Sequence, residues 1–143
     1  MKIKYSYVGG GKHPKIGQIV HWRAEATDGP DASRYNRYMC DVLSAVAQDT
    51  GDCDRLLSLI ARVENGHDDQ IETGGNDVTM TMKSDGVQVD IEVNEDWIGQ
   101  AEGHFTLQEW RAALEGWRRF LEMPASPGGG LEVDLPGSCA VKR

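Results

Sequence analysis

Two runs in the middle of the chain alternate apolar and polar residues with the two-residue period of a half-buried strand. In the first, Val78, Met80 and Met82 alternate with Asp77, Thr79, Thr81 and Lys83; in the second, Val87, Val89, Ile91 and Val93 alternate with Gln88, Asp90, Glu92 and Asn94. Ser84-Asp85-Gly86 between them predicts a hairpin turn. "QIE" at Gln70 to Glu72 predicts a short strand before a Gly74-Gly75-Asn76 turn. Near the start, "KIKYSYV" sets Ile3, Tyr5 and Tyr7 against Lys2, Lys4 and Ser6, a strand that Gly9-Gly10-Gly11 is expected to end. "KIGQIVHWRAEA", with Ile16, Ile19, Val20 and Trp22, offers a second strand with an irregular start, and "TDGPD" supplies a turn before the first helix.

Helical periodicity follows from Ala32 to about Asp49, where Tyr35, Tyr38, Met39, Val42 and Val46 recur at three- and four-residue steps. Gly51 is expected to interrupt this helix. A shorter one restarts near Asp52 with Leu56, Leu57, Ile60 and Val63 inward and stops at Asn65-Gly66, a pairing suited to a left-handed cap. The last helix carries the clearest signals. Thr106 and Glu109 form a capping box, Phe105 and Trp110 a hydrophobic staple, and Leu107, Trp110, Leu114, Trp117 and Leu121 trace one face. After Pro124 come the linker-like "ASPGGG" and then "LEVDLPGSCAVKR", either a dangling tail or a late strand formed by Leu131, Val133 and Leu135. The expected fold is α+β: an antiparallel sheet of about four strands with two or three helices packed on one face. Residues 1–123 form a single domain in this reading, and 124–143 a Pro/Gly-rich C-terminal tail.

With 39% hydrophobic and 27% charged residues the composition is that of a globular chain rather than a disordered one. The net charge of −8 makes a phosphate backbone a poor direct partner. No apolar run approaches the roughly 18 residues of a membrane span, and "MKI" leads straight into a strand pattern, so the expected location is cytoplasmic. The charge is also segregated. Residues 1–63 hold nine Lys and Arg against seven Asp and Glu, residues 64–103 hold Lys83 alone against 11 carboxylates, and residues 104–143 hold five of each. Because strand side chains alternate, valines turned toward the last helix force Asp90 and Glu92 outward, and the partner strand is expected to bring Asp77 to the same face. A concentrated negative field of this kind attracts and orients a basic partner, although a merely solubilising face fits the charge equally well.

Catalytic and metal-binding patterns are sparse. His13, His21, His67 and His104 lie in separate loops or strand ends without the helical i, i+4 spacing of a zinc site, and His67-Asp68-Asp69 reads as a solvated loop. Gly9-Gly10-Gly11-Lys12 lacks the spacing and the following Ser or Thr of a phosphate-binding loop. Carboxylates on an open sheet face stay ionised and make poor general acids. Cys40, Cys53 and Cys139 are odd in number and widely spaced, which supports neither a disulfide framework nor a zinc site. Trp97, Trp110, Trp117 and Phe120 read as core rather than as a ligand slot. No catalytic residue, metal or cofactor is assigned.

Taken in order, the strand "MKIKYSYV", the helices, "GGND", "VQVDIEV" and the closing "FTLQEWRAALEGWRRFLEMP" resemble a family of small bacterial immunity proteins, those of contact-dependent growth inhibition and related polymorphic toxin systems. The resemblance covers Met1 to about Pro124, is strongest over "EGHFTLQEWRAALEGWRRFL", and leaves the tail outside the pattern. It implies a protein without catalytic role that neutralises a cognate toxin domain, often a nuclease, whose Lys and Arg an acidic surface can occupy. The expected contact residues are Glu72, Asp77, Asp90, Glu92 and Asp96. Two alternatives are an interaction module that pairs an exposed strand edge, "VQVDIEV" or "KIKYSYV", with a partner strand, and a metal-dependent hydrolase built on His67, Asp68, Asp69 and His104.

Overall fold

Among the described residues, seven strands and three helices make two antiparallel sheets with the helices packed between and against them. The computed structural model describes residues 1–13, 17–26, 29, 31–124 and 129–136, with the backbone alone described for 10–13 and 17–20. Cys139, the "ASPGGG" linker for the most part, and most of "TDGPD" lie outside the described residues.

The first sheet has the order β2-β1-β7, formed by β1 (Lys2–His13), β2 (Gly17–Ala26) and β7 (Gly130–Asp134). The glycines do not end β1. It runs on to His13 with a register shift between Gly9 and Lys12, a bulge that residues without Cβ accommodate readily. Ile3, Tyr5 and Tyr7 are buried, as their alternation requires. The segment after Pro124 takes the late-strand form: Lys2 pairs with Asp134 and Ser6 with Gly130, while Val133 and Leu135 are buried. The packed unit therefore extends past residue 123.

The four-stranded antiparallel sheet expected from the sequence has the order β3-β4-β5-β6, with β3 (Gln70–Gly75), β4 (Val78–Lys83), β5 (Gly86–Ile91) and β6 (His104–Phe105). Its inner face buries Val78, Met80, Met82, Val87 and Val89. The β3–β4 turn is Asn76-Asp77, both at positive φ (52° and 65°), which gives the two-residue turn whose twist matches that of the strands. β1 and β5 are both interior strands, so neither "KIKYSYV" nor "VQVDIEV" is the docking edge of the strand-pairing alternative. Beyond Gln88 the edge of β5 is covered by the 3-10 turn Ala101–Gly103, where a Cβ on Gly103 would come within 2.6 Å of the Val89 carbonyl.

Helix α1 spans 32–46 and contains a π-helical turn at Asn36–Cys40. Tyr38, Met39 and Cys40 are consecutive and all buried, because this helix packs on β2 on one side and on β5 on the other. Helix α2 (Thr50–Glu64) starts from Asp49, whose side chain accepts the Asp52 N–H at 2.8 Å, so Gly51 lies inside the first turn and the break falls at Ala47. Its end has the anticipated left-handed glycine: Gly66 sits at φ 78°, Gly66 N–H donates to Val63 and His67 N–H to Arg62. Helix α3 (Leu107–Leu121) carries the complete Thr106–Glu109 capping box, and Phe105 meets Trp110 edge-on at 6.3 Å. Among the described residues no helix is long and apolar enough to cross a membrane.

Burial of α3 goes beyond the single predicted face and includes Glu109, Ala113, Gly116 and Phe120. The Tyr5 hydroxyl donates to the Ala113 carbonyl at 2.8 Å, Tyr7 stacks on Phe120 at 4.3 Å, and Trp117 Nε1 donates to the Ala47 carbonyl at 2.8 Å. A Cβ on Gly116 would overlap a Val133 methyl and press on Tyr5 at 3.2 Å. Gly116→Ala is therefore expected to destabilise the fold by about 1–3 kcal/mol through overpacking, and Val133→Ala in the same chain should restore part of that loss. Urea unfolding of the single and double variants checks the coupling, and simple additivity would show that α3 and β7 do not touch.

Candidate functional site

The outer face of the four-stranded sheet is read from its register. One row runs Glu72, Thr81, Gln88, His104, and the next runs Gly74, Thr79, Asp90. Uncharged Thr and Gln separate the acids, so this face is polar rather than a continuous row of carboxylates. Glu72 stands on β3, two strands away from β5, and does not join the other predicted contacts.

Those others collect at one end of the sheet. Asp77 occupies the tight turn rather than the strand face, and its carbonyl accepts the Glu92 N–H at 2.8 Å. Asp90 lies opposite Thr79, and its Oδ1 accepts the Gly99 N–H at 2.7 Å, closing the loop 92–99 back on the strand. Glu92 follows the last residue of β5 and accepts the Thr79 hydroxyl at 2.9 Å. Asp96 belongs to the 3-10 turn Glu95–Trp97, its N–H held by the Asn94 side chain at 2.9 Å. Glu95, which is not among the five expected contacts, stands beside it, while Glu72 lies apart. None of Asp77, Asp90, Glu92, Glu95 and Asp96 forms an ion pair among the described residues.

Elsewhere the acidic segment is partly neutralised. Glu64 pairs with Arg111 of α3, and Asp68 with Arg62 of α2 at 2.6 Å. Asp85, at the opposite end of the sheet, lies 3.9 Å from His104 Nε2. A segment-by-segment charge count could not find these pairs, because their cations come from other parts of the chain.

The strand β5 stops at Ile91, which changes the role of Val93. Expected to point inward, it is 69% exposed, and Ile98 across the same loop is 43% exposed. Between this loop and α1 lies a pocket of about 400 Å³. Val78, Ile91, Val93 and Trp97 line one wall, Arg37, Asp41, Val42 and Ala45 the other, and Asn76 and Asp77 stand at its edge. Trp97, expected in the core, is only partly buried there, with the Arg37 guanidinium 4.7 Å from its ring centre. Burial pushes the Asp41 carboxyl up, and Arg37 beside it pulls in the opposite direction.

Among the described residues no three His, Cys, Asp or Glu side chains converge as a metal site would require. Asp68, one of the proposed hydrolase ligands, is engaged by Arg62. Cys40 and Cys53 are buried, and burial is the main cause that pushes their thiols up to about 12 and about 11. Buried Glu109 has both oxygens occupied, one by the Thr106 N–H at 2.9 Å and the other by the Tyr35 hydroxyl. No family model, curated protein or solved structure matches the chain.

Two expectations follow. Val93→Ser should change stability by no more than about 0.5 kcal/mol, whereas Val89→Ser, at a fully buried position, should cost roughly 2 kcal/mol or more; equal losses in urea unfolding would mean that β5 continues through Val93. The raised thiols set an alkaline limit. Thiols in the unfolded chain ionise near about 8.5, so their contribution is fully present below that pH and declines as pH rises toward about 11 and about 12. Cys40→Ala with Cys53→Ala should flatten the loss of stability above about pH 8.5, measured by urea unfolding at successive pH values.

Proposed function

We propose that this protein is an immunity-type inhibitor, without catalytic role, that acts in the cytoplasm by covering the basic active surface of a cognate toxin domain, with a nuclease as the best-fitting target. One observation carries the reading: Asp77, Asp90, Glu92, Glu95 and Asp96 lie at one end of a sheet without ion-pair partners among the described residues, beside exposed Val93 and Ile98. Like charges held together in this way repel one another, and a basic partner relieves that repulsion while the same field speeds its approach. Apolar side chains at the centre of such a patch are what a partner can desolvate for affinity. A nuclease must present Lys and Arg where phosphate binds, so carboxylates and exposed valine and isoleucine together suit its substrate groove. The element order that resembles immunity proteins supports the same reading.

The chosen test is Asp90→Lys with Glu92→Lys, assayed against the basic domain encoded beside this gene. Reversing two charges should weaken binding by roughly tenfold or more at low salt, chiefly through slower association, and should reduce protection of cells expressing that domain. Full protection by the double variant would remove the acidic end from the mechanism.

A further inference from the structure

We infer that the pocket between α1 and the loop 92–99 receives an arginine side chain from a protein partner. The inference rests on the proposed function only in taking the occupant to belong to a protein. Three features of the pocket point to arginine. Its walls are apolar in part, with partly buried Ala45 and Ile91, backed by buried Val42 and Val78, to pack along an aliphatic stem. Its rim is acidic, with Asp41 on the helix side and Asp77 on the turn side. Trp97 already accepts a guanidinium, since Arg37 lies 4.7 Å from the ring centre, so the ring environment suits a planar delocalised cation.

Charge complementarity decides between an apolar and a cationic occupant. Among the described residues Arg37 is the one cation that lines the pocket, against Asp41 and Asp77, and the adjoining loop adds Glu92, Glu95 and Asp96 without a Lys or Arg between residues 84 and 110. An uncharged apolar side chain would desolvate these carboxylates and return nothing to them, whereas a guanidinium on an aliphatic stem satisfies wall and rim together. Val93, 69% exposed at the pocket's lip, then gains cover from the residues that flank the incoming arginine.

The probe is N-acetyl-arginine methylamide, titrated into the full isotope-labelled chain while the Trp97 indole and the Asn76, Asp77 and Val93 amides are followed by NMR. Saturable shifts at these groups are expected. The uncharged apolar analogue N-acetyl-norleucine methylamide, which keeps the stem and lacks the guanidinium, should bind roughly fivefold more weakly, and Asp77→Asn should reduce arginine binding to a similar extent. Asparagine tolerates the positive φ of that turn, so the variant keeps the hairpin. Glu72→Gln, on the same sheet but away from the pocket, should leave the titration unchanged. Equal binding of the two probes, shifts elsewhere only, or an Asp77→Asn variant that binds arginine as before would each overturn the inference. Those failures leave the acidic end intact, whereas retained protection by Asp90→Lys with Glu92→Lys would sink the inhibitor reading and leave arginine binding as it is.

Discussion

Helix α3 is buried on two sides at once, and the arrangement of both sheets depends on what it can accept at each. Toward the first sheet it offers backbone. The Tyr5 and Tyr7 hydroxyls donate to the carbonyls of Ala113 and Phe120, using a second lone pair on oxygens already in the helix ladder, and Gly116 leaves room for Val133. Toward the other elements it offers aromatic area, with Trp117 bonded to the Ala47 carbonyl and Trp110 packed edge-on against Phe105 at 6.3 Å. A helix with one apolar stripe would have covered one sheet. The small residues on the opposite side let α3 serve two.

The N-terminus of the same helix follows β6 at the Gly86 end of the sheet and ties α3 to α1. Glu109 is buried in its capping box and takes the Tyr35 hydroxyl from α1, which joins the two helices through a carboxylate satisfied by the Thr106 N–H and that hydroxyl. Next to it, Arg34 lies 4.6 Å from the ring centres of Tyr35 and Phe105 and donates to the carbonyls of Glu102 and His104, each at 3.1 Å. These bonds hold β6 and the turn Ala101–Gly103 on the edge of β5. The loop 92–99 turns back toward α1, where Trp97 meets Arg37, and the hydrogen bond from Gly99 to Asp90 ties it to β5.

The negative field is selective in the same way. Arginines on α2 and α3 neutralise Glu64 and Asp68 near the helical side of the molecule, while at the other end of the sheet the Glu92 carboxylate accepts the Thr79 hydroxyl and the Asp90 carboxylate the Gly99 N–H, both neutral donors. Hydroxyl and amide donors orient a carboxylate without cancelling its charge. Those carboxylates have no ion-pair partner among the described residues, which is the condition on which the proposed basic partner rests.

Local chemistry made much of this legible in the chain itself. The β4–β5 hairpin, the capping box on α3, the Asn65-Gly66 cap and the inward alternation of Val78 to Val89 all arise between residues two to five positions apart, where side-chain periodicity and backbone φ decide the outcome. The acidity of Asp90 and Glu92 and their outward direction belong to the same class. What only the tertiary structure decided involves residues distant in sequence: β7 pairing with β1 across more than a hundred residues, Arg111 meeting Glu64, and Arg37 lying on Trp97 in the segment that follows the end of β5 at Ile91. Such pairings are chosen by the packing of all elements together, so no window of the sequence contains them. The same reason places Glu72 apart from its expected companions and Asp77 beside them in a turn: strand register, set by the inner core, determines which surface charges become neighbours.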